Sequence, residues 1–116
     1  MAPTIVYDAS GQPVFALGAA GGATIIMQIT KALIAHLDWG MDAREALGLG
    51  LLFFNKDGLL IEQDSPLETM RPALETLGHK VGTATLPLKA NAAERLPDGS
   101  WRGAADPRSV GQALTR

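Results

Sequence analysis

Two adjacent glycines, Gly21 and Gly22, stand where the stretch "GAAGGATIIMQITKALIAHL" (18–37) passes from a glycine-rich turn into a long apolar run. Glycine lets the backbone bend freely or lets another group approach it closely. The first N–H groups of a helix have no acceptor within the helix. With the positive end of the helix beside them, they can bind an anion or a developing oxyanion. A tight turn, or close packing of helix on sheet, calls for the same two residues. On the residues alone both readings stand.

The other reactive side chains form no recognised catalytic set. His36 and His79 lie far apart in sequence and read as satisfied or solvated histidines. There is no GxSxG elbow, no phosphate-binding P-loop and no HExxH pair. Gly48-Leu49-Gly50 is a lone GxG before apolar residues and marks a bend. Asp38, Asp42 and Glu45 are explained by helix ends and capping, and "NKDG" (55–58) by a turn. The sequence has no cysteine, so disulfides and thiolate chemistry are excluded. No metal and no cofactor is expected.

The elements that must position these residues are legible from pattern and turn chemistry. "TIVY" (4–7) and "VFAL" (14–17) flank "DASGQP" and read as a hairpin. Ile25, Ile29, Leu33 and Leu37 recur every four residues across a helix from Thr24 to Trp39. Ile26, Met27, Ala32 and Ile34 widen its apolar surface, which predicts burial on most sides and calls for more cover than these few elements easily provide. Gly40 stops it, and Asp42 with Glu45 opens a short second helix by a capping box. "GLGLLFF" (48–54) and "LLIE" (59–62) make a second hairpin around Asp57-Gly58. Ser65-Pro66-Leu67-Glu68 starts a helix that runs to about Leu77, kinked by Pro72. "KVGTATL" (80–86) reads as a strand, and the last segment as a hairpin around Asp98-Gly99 with Trp101 on its return strand. Beyond Ser109 fraying is expected. The order β-β-α-α-β-β-α-β-β-β is that of an α+β layered fold.

The chain of 116 residues is expected to form a single domain over 1–116. Its hydrophobic content of 47% and charged content of 19% fit a globular chain with a core of Leu, Ile, Val and Ala. A net charge of −2 without a basic stripe gives no sign of a nucleic-acid partner. The N-terminal residues lack signal-peptide features. The most apolar run, 14–37, is interrupted by Gln28, Lys31 and His36, which argues against a membrane span. The compartment is left open.

Five motifs then line up in order: "APTIV" (2–6), "GAAGGATII" (18–26), "WGMDAREA" (39–46), "LETLGHKV" (74–81) and "GAADPR" (103–108). Together they resemble the C-terminal part of the small subunit of gamma-glutamyltranspeptidases and related acylases, over nearly the whole chain. The resemblance implies an N-terminal-nucleophile hydrolase, a four-layer αββα sandwich to which this chain brings strands and covering helices. It implies an enzyme in which a threonine, freed by self-cleavage, attacks the gamma-glutamyl amide of glutathione or a relative, its own α-amino group serving as base. The acyl group then passes to water, an amino acid or a peptide. By this resemblance Gly21 and Gly22 match the paired glycines whose N–H groups form the oxyanion hole.

The departures bear equally on function. The family's nucleophilic threonine and its substrate-gripping serines fall upstream of the matched segment. Thr4, Thr24 and Thr30 each carry an ordinary amide nitrogen. The Pro and Ser that usually flank the glycine pair are Ala20 and Ala23, and the "APR" with its following histidines is replaced by "GLGLLFF". The expectation is therefore a fragment or separately encoded piece of a gamma-glutamyltransferase or glutathione hydrolase, inactive by itself. Its partner would be the missing N-terminal half, and gamma-glutamyl compounds the ligands of the complete enzyme, whose family members are often exported. Two alternatives stand beside it. One is a self-associating structural module; the other is a small carboxylate-binding protein using the Gly21-Gly22 loop.

Overall fold

A computed structural model describes residues 1–114. Its elements follow the expected order: β1 (Thr4–Tyr7), β2 (Pro13–Ala20), α1 (Ile25–Leu37), α2 (Ala43–Gly48), β3 (Leu52–Asn55), β4 (Gly58–Glu62), α3 (Arg71–Thr76), β5 (Val81–Ala84), β6 (Lys89–Arg95) and β7 (Trp101–Ala105). Single turns of 3-10 helix precede α1 (Gly22–Thr24) and α3 (Pro66–Met70). The mixed α+β class is as expected. The chain divides into two compact units, residues 1–49 with 88–116, and residues 50–87. The expected frayed tail carries no helix or strand over 109–114, and its last two residues, 115 and 116, lie outside the described residues.

The first unit is an antiparallel sheet, β1-β2-β6-β7, with α1 and α2 on one face. Strand side chains alternate between faces, so Phe15, Leu17 and Ala19 of β2 point to the same side as Ala90 and Ala92 of β6. They meet Ile29 and Ala32 of α1 and Ala43 and Leu47 of α2 to form the core. Small residues on both elements, Ala32, Ala43, Ala90 and Ala92, let helix and strand backbones approach closely.

The first helix corrects one expectation. Its buried residues are Gln28, Ile29, Ala32 and Ala35, a single stripe against the sheet. Ile26 is 72% exposed and Leu37 50%, with Met27 and Ile34 also exposed. The broad apolar surface is real, but a four-stranded sheet covers only one side of a cylinder. The helix ends as expected, where Gly40 at φ 69° turns the chain back and the Met41 N–H reaches the Ala35 carbonyl at 3.0 Å. The capping box of α2 is present in both directions, Glu45 N–H to Asp42 Oδ1 at 2.8 Å and Asp42 N–H to Glu45 Oε2 at 3.0 Å.

The second unit is a three-stranded sheet, β3-β4-β5, with β3 and β4 antiparallel and β4 and β5 parallel. Its hairpin turn falls on Lys56-Asp57, because Asn55 pairs with Gly58. Gly58 is instead the first residue of β4. At φ 144°, an added Cβ there would stand 2.6 Å from the Lys80 carbonyl oxygen. The capping box expected at Ser65 is absent. Ser65 Oγ donates to the Glu62 carbonyl at 2.7 Å, and Glu68 Oε1 accepts from the Asp64 N–H at 2.7 Å. Nor is there one kinked helix over 65–77: the 3-10 turn ends at Met70, and Pro72 sits in the first turn of α3, where its missing N–H costs nothing.

Candidate functional site

The sequence "AAGGAT" builds a sharp link between the end of β2 and the start of α1. Gly21 has φ 141° and ψ 18°, and Gly22 has φ 62°, both in the region where side chains are disfavoured. A Cβ added at Gly22 would meet nothing within 4 Å, so close packing does not explain that glycine. Its backbone conformation does. The turn is closed from inside by the Thr24 N–H and Thr24 Oγ1, which both donate to the Gly21 carbonyl, at 3.3 and 3.0 Å. The Ile25 N–H donates to the Gly22 carbonyl. Among the described residues, the N–H groups of Gly21, Gly22 and Ala23 find no acceptor. Gly22 and Ala23 are exposed. Adjacent free N–H groups at a helix start are the arrangement that stabilises an oxyanion or binds a carboxylate.

Beside this loop the sheet carries a cavity lined by Met1, Pro3, Gly18, Ala19, Ala20, Lys89 and Asn91. Lys89 and Ala20 are paired across β6 and β2, so the first residue of β6 lies opposite the residue that precedes the glycine pair. The three polar residues that interrupt the apolar run are all satisfied. Gln28 bonds the Ala20 carbonyl at 2.9 Å and accepts from the Lys89 N–H at 3.0 Å. Lys31 Nζ donates to the Leu47 and Leu49 carbonyls at 2.8 and 2.6 Å. His36 Nδ1 lies 2.8 Å from the Met41 carbonyl oxygen, and its ring stacks on Phe15 with centroids 4.1 Å apart.

The remaining candidates stay apart from the loop. His36 is a satisfied packing histidine, 3.6 Å from the buried Glu94 carboxylate. Arg102 holds the same carboxylate through Nε at 2.7 Å, and that bond raises the guanidinium further above its ordinary value. His79 is exposed, its N–H donating to the Leu74 carbonyl at 3.1 Å. Asp38 caps the end of α1, Asp42 and Glu45 cap α2, and Gly48-Leu49-Gly50 follows the end of α2 as a bend. Arg108 of "GAADPR" donates to the Leu47, Gly48 and Leu49 carbonyls, closing the C-terminal end of α2 with Lys31. Among the described residues no three His, Asp or Glu side chains are grouped to hold a metal ion, and no helix is long and apolar enough to cross a membrane.

Sequence reasoning did not find Gln28 and Thr24 as parts of the loop. Their signal was present as a polar residue inside an apolar helix beginning, four residues after a threonine.

The fold is that of the N-terminal-nucleophile hydrolases: it superposes on a solved acivicin-inhibited gamma-glutamyltranspeptidase with a TM-score of 0.85 at 26% identity, over 96% of this chain and 61% of that one. The chain belongs to the gamma-glutamyltranspeptidase family, whose model matches residues 1–115. It is 27% identical to the glutathione hydrolase proenzyme of Bacillus subtilis strain 168 over 116 residues, and 30% identical to that of Escherichia coli K12 over 112. These alignments take in 98% and 95% of this chain but only 20% and 19% of the relatives. The chain thus spans about a fifth of the length of the curated relatives it matches.

Proposed function

We propose that these residues supply the oxyanion-stabilising loop of a gamma-glutamyl transferring or glutathione-hydrolysing enzyme, and that the attacking threonine comes from polypeptide outside them. The observation that carries this reading is the pair of outward, unpaired N–H groups at Gly21 and Gly22. When the threonine attacks a gamma-glutamyl amide, the carbonyl oxygen takes up negative charge. Two N–H donors fixed beforehand stabilise that charge without reorganising. The same donors act again when water or an amino acid attacks the acyl-enzyme.

Four threonine hydroxyls support the division of labour. Thr24 is buried and donates to Gly21, Thr4 to Ala2, Thr69 to Pro66 and Thr76 to Pro72, each onto a main-chain carbonyl. None of these is placed against a general base, as an activated nucleophile requires. The partner in this reading is the remainder of the enzyme. The bare apolar side of α1, with Ile26, Ile34 and Leu37, is a surface that such a partner would cover.

Titration of the 15N-labelled chain with glutamate tests the loop. The Gly21 and Gly22 amide resonances are expected to move together and saturably. Silence at both amides would remove the donor role.

A further inference from the structure

The structure assigns Gln28, acting through Thr24, as the positioning residue that aims both loop N–H groups outward; the assignment rests on the reading of that loop as the oxyanion site. A trans peptide unit is planar, with the C=O of one residue opposed to the N–H of the next. The Gly21 N–H therefore points away from wherever the Ala20 carbonyl points. The Gly22 N–H points away from the Gly21 carbonyl in the same way. Both carbonyls are held from the protein side. Gln28 Nε2 donates to the Ala20 carbonyl at 2.9 Å, and Thr24 Oγ1 donates to the Gly21 carbonyl at 3.0 Å.

The direction of this chain of bonds is fixed by proton count. The Thr24 hydroxyl has one proton, given to Gly21, so its lone pair takes the second Nε2 proton of Gln28 at 3.0 Å. Gln28 Oε1 is occupied by the Lys89 N–H at 3.0 Å, which sets which end of the amide faces the loop. Gln28 and Thr24 are each 3% exposed, so water does not substitute for these bonds. The restraint is needed because the Ala20–Gly21 unit has glycine on one side and the Gly21–Gly22 unit on both, and glycine lets a peptide unit flip. A flipped unit would present a carbonyl where the oxyanion requires a donor.

The test uses the full chain and the Gly21 and Gly22 amide signals. Gln28→Met keeps the volume and removes all three bonds. It is expected to displace both resonances and weaken their response to glutamate about tenfold, the equivalent of one lost charge-assisted bond. Thr24→Val removes the hydroxyl's bond to the Gly21 carbonyl and the bond it accepts from Gln28, but leaves the Gln28 bond to the Ala20 carbonyl, so it displaces Gly22 more than Gly21. In Gln28→Glu the neutral acid can donate to Ala20 but the carboxylate cannot. The Gly21 signal is expected near its wild-type position in acid and displaced at neutral pH, a pH profile that a space-filling role would not produce. Unmoved Gly21 and Gly22 signals in Gln28→Met, or a pH-independent Gln28→Glu, would overturn the assignment. Failure of the underlying reading looks different: wild-type amides ignore glutamate while Gln28→Met still shifts them.

Discussion

At the residue scale, the proposed role rests on backbone geometry rather than on reactive side chains. Gly22 is constrained by its φ of 62° and not by neighbours. Gly22→Ala is therefore expected to fold and to lose about 1 kcal/mol for the left-handed conformation, measured by urea denaturation. A loss near zero would show that the loop adopts another conformation. Two exposed aspartates give a second prediction. Asp8 is held below the ordinary carboxylate value by its bonds to the Ser10 hydroxyl and the Gln12 N–H, and Asp98 by its bonds to the Ser100 hydroxyl and N–H. A lowered folded pKa means the two turns contribute stability above the ordinary carboxylate pKa and lose it as pH falls through the folded value. Carboxyl titration by NMR should place both midpoints below the ordinary aspartate value, and midpoints at that value would contradict the role of these bonds. The glycine pair was readable in the sequence, since two glycines before a helix signal free N–H groups or a turn. Gln28 was not, because a glutamine inside an apolar run looks like an interruption until the carbonyl it reaches is known.

At the element scale, capping and turn chemistry were the most legible features, because they act between residues a few positions apart. The Asp42–Glu45 box formed as read, and Asp42→Ala should cost about 1 kcal/mol of stability. The Ser65–Glu68 box did not form. Asp64, at φ 59°, turns the backbone so that its own N–H, rather than that of Ser65, meets Glu68. Gly58 illustrates what local sequence withholds. It looked like a turn residue, but to the demand of its own φ of 144° is added the carbonyl of Lys80, twenty-two residues away. Gly58→Ala is expected to cost several times more than Gly22→Ala, on the order of 2–3 kcal/mol, since a backbone oxygen must move. Equal costs at the two sites would show that the Lys80 carbonyl adds nothing to the conformational demand.

At the scale of the whole molecule, the number and order of strands and helices were readable from periodicity and turns. The bare face of α1 was readable as a surplus of apolar surface over what these elements cover, but not residue by residue, since periodicity does not say which part of a helix its sheet covers. Ile26 and Leu37 stand exposed in a chain that matches a fifth of its curated relatives' length. Exposed apolar faces associate, so the isolated chain is expected to sediment above its monomer mass, and Ile26→Lys with Leu37→Lys to return it to monomer. A wild-type monomer would show that this face needs no cover. In the proposed function one catalytic site is divided, with the oxyanion loop here and the nucleophile elsewhere. Incubation of the purified chain with a chromogenic gamma-glutamyl anilide tests that division most directly. Release of the anilide chromophore is expected to be no faster than in buffer; turnover well above buffer would place a working nucleophile within these residues and contradict the division.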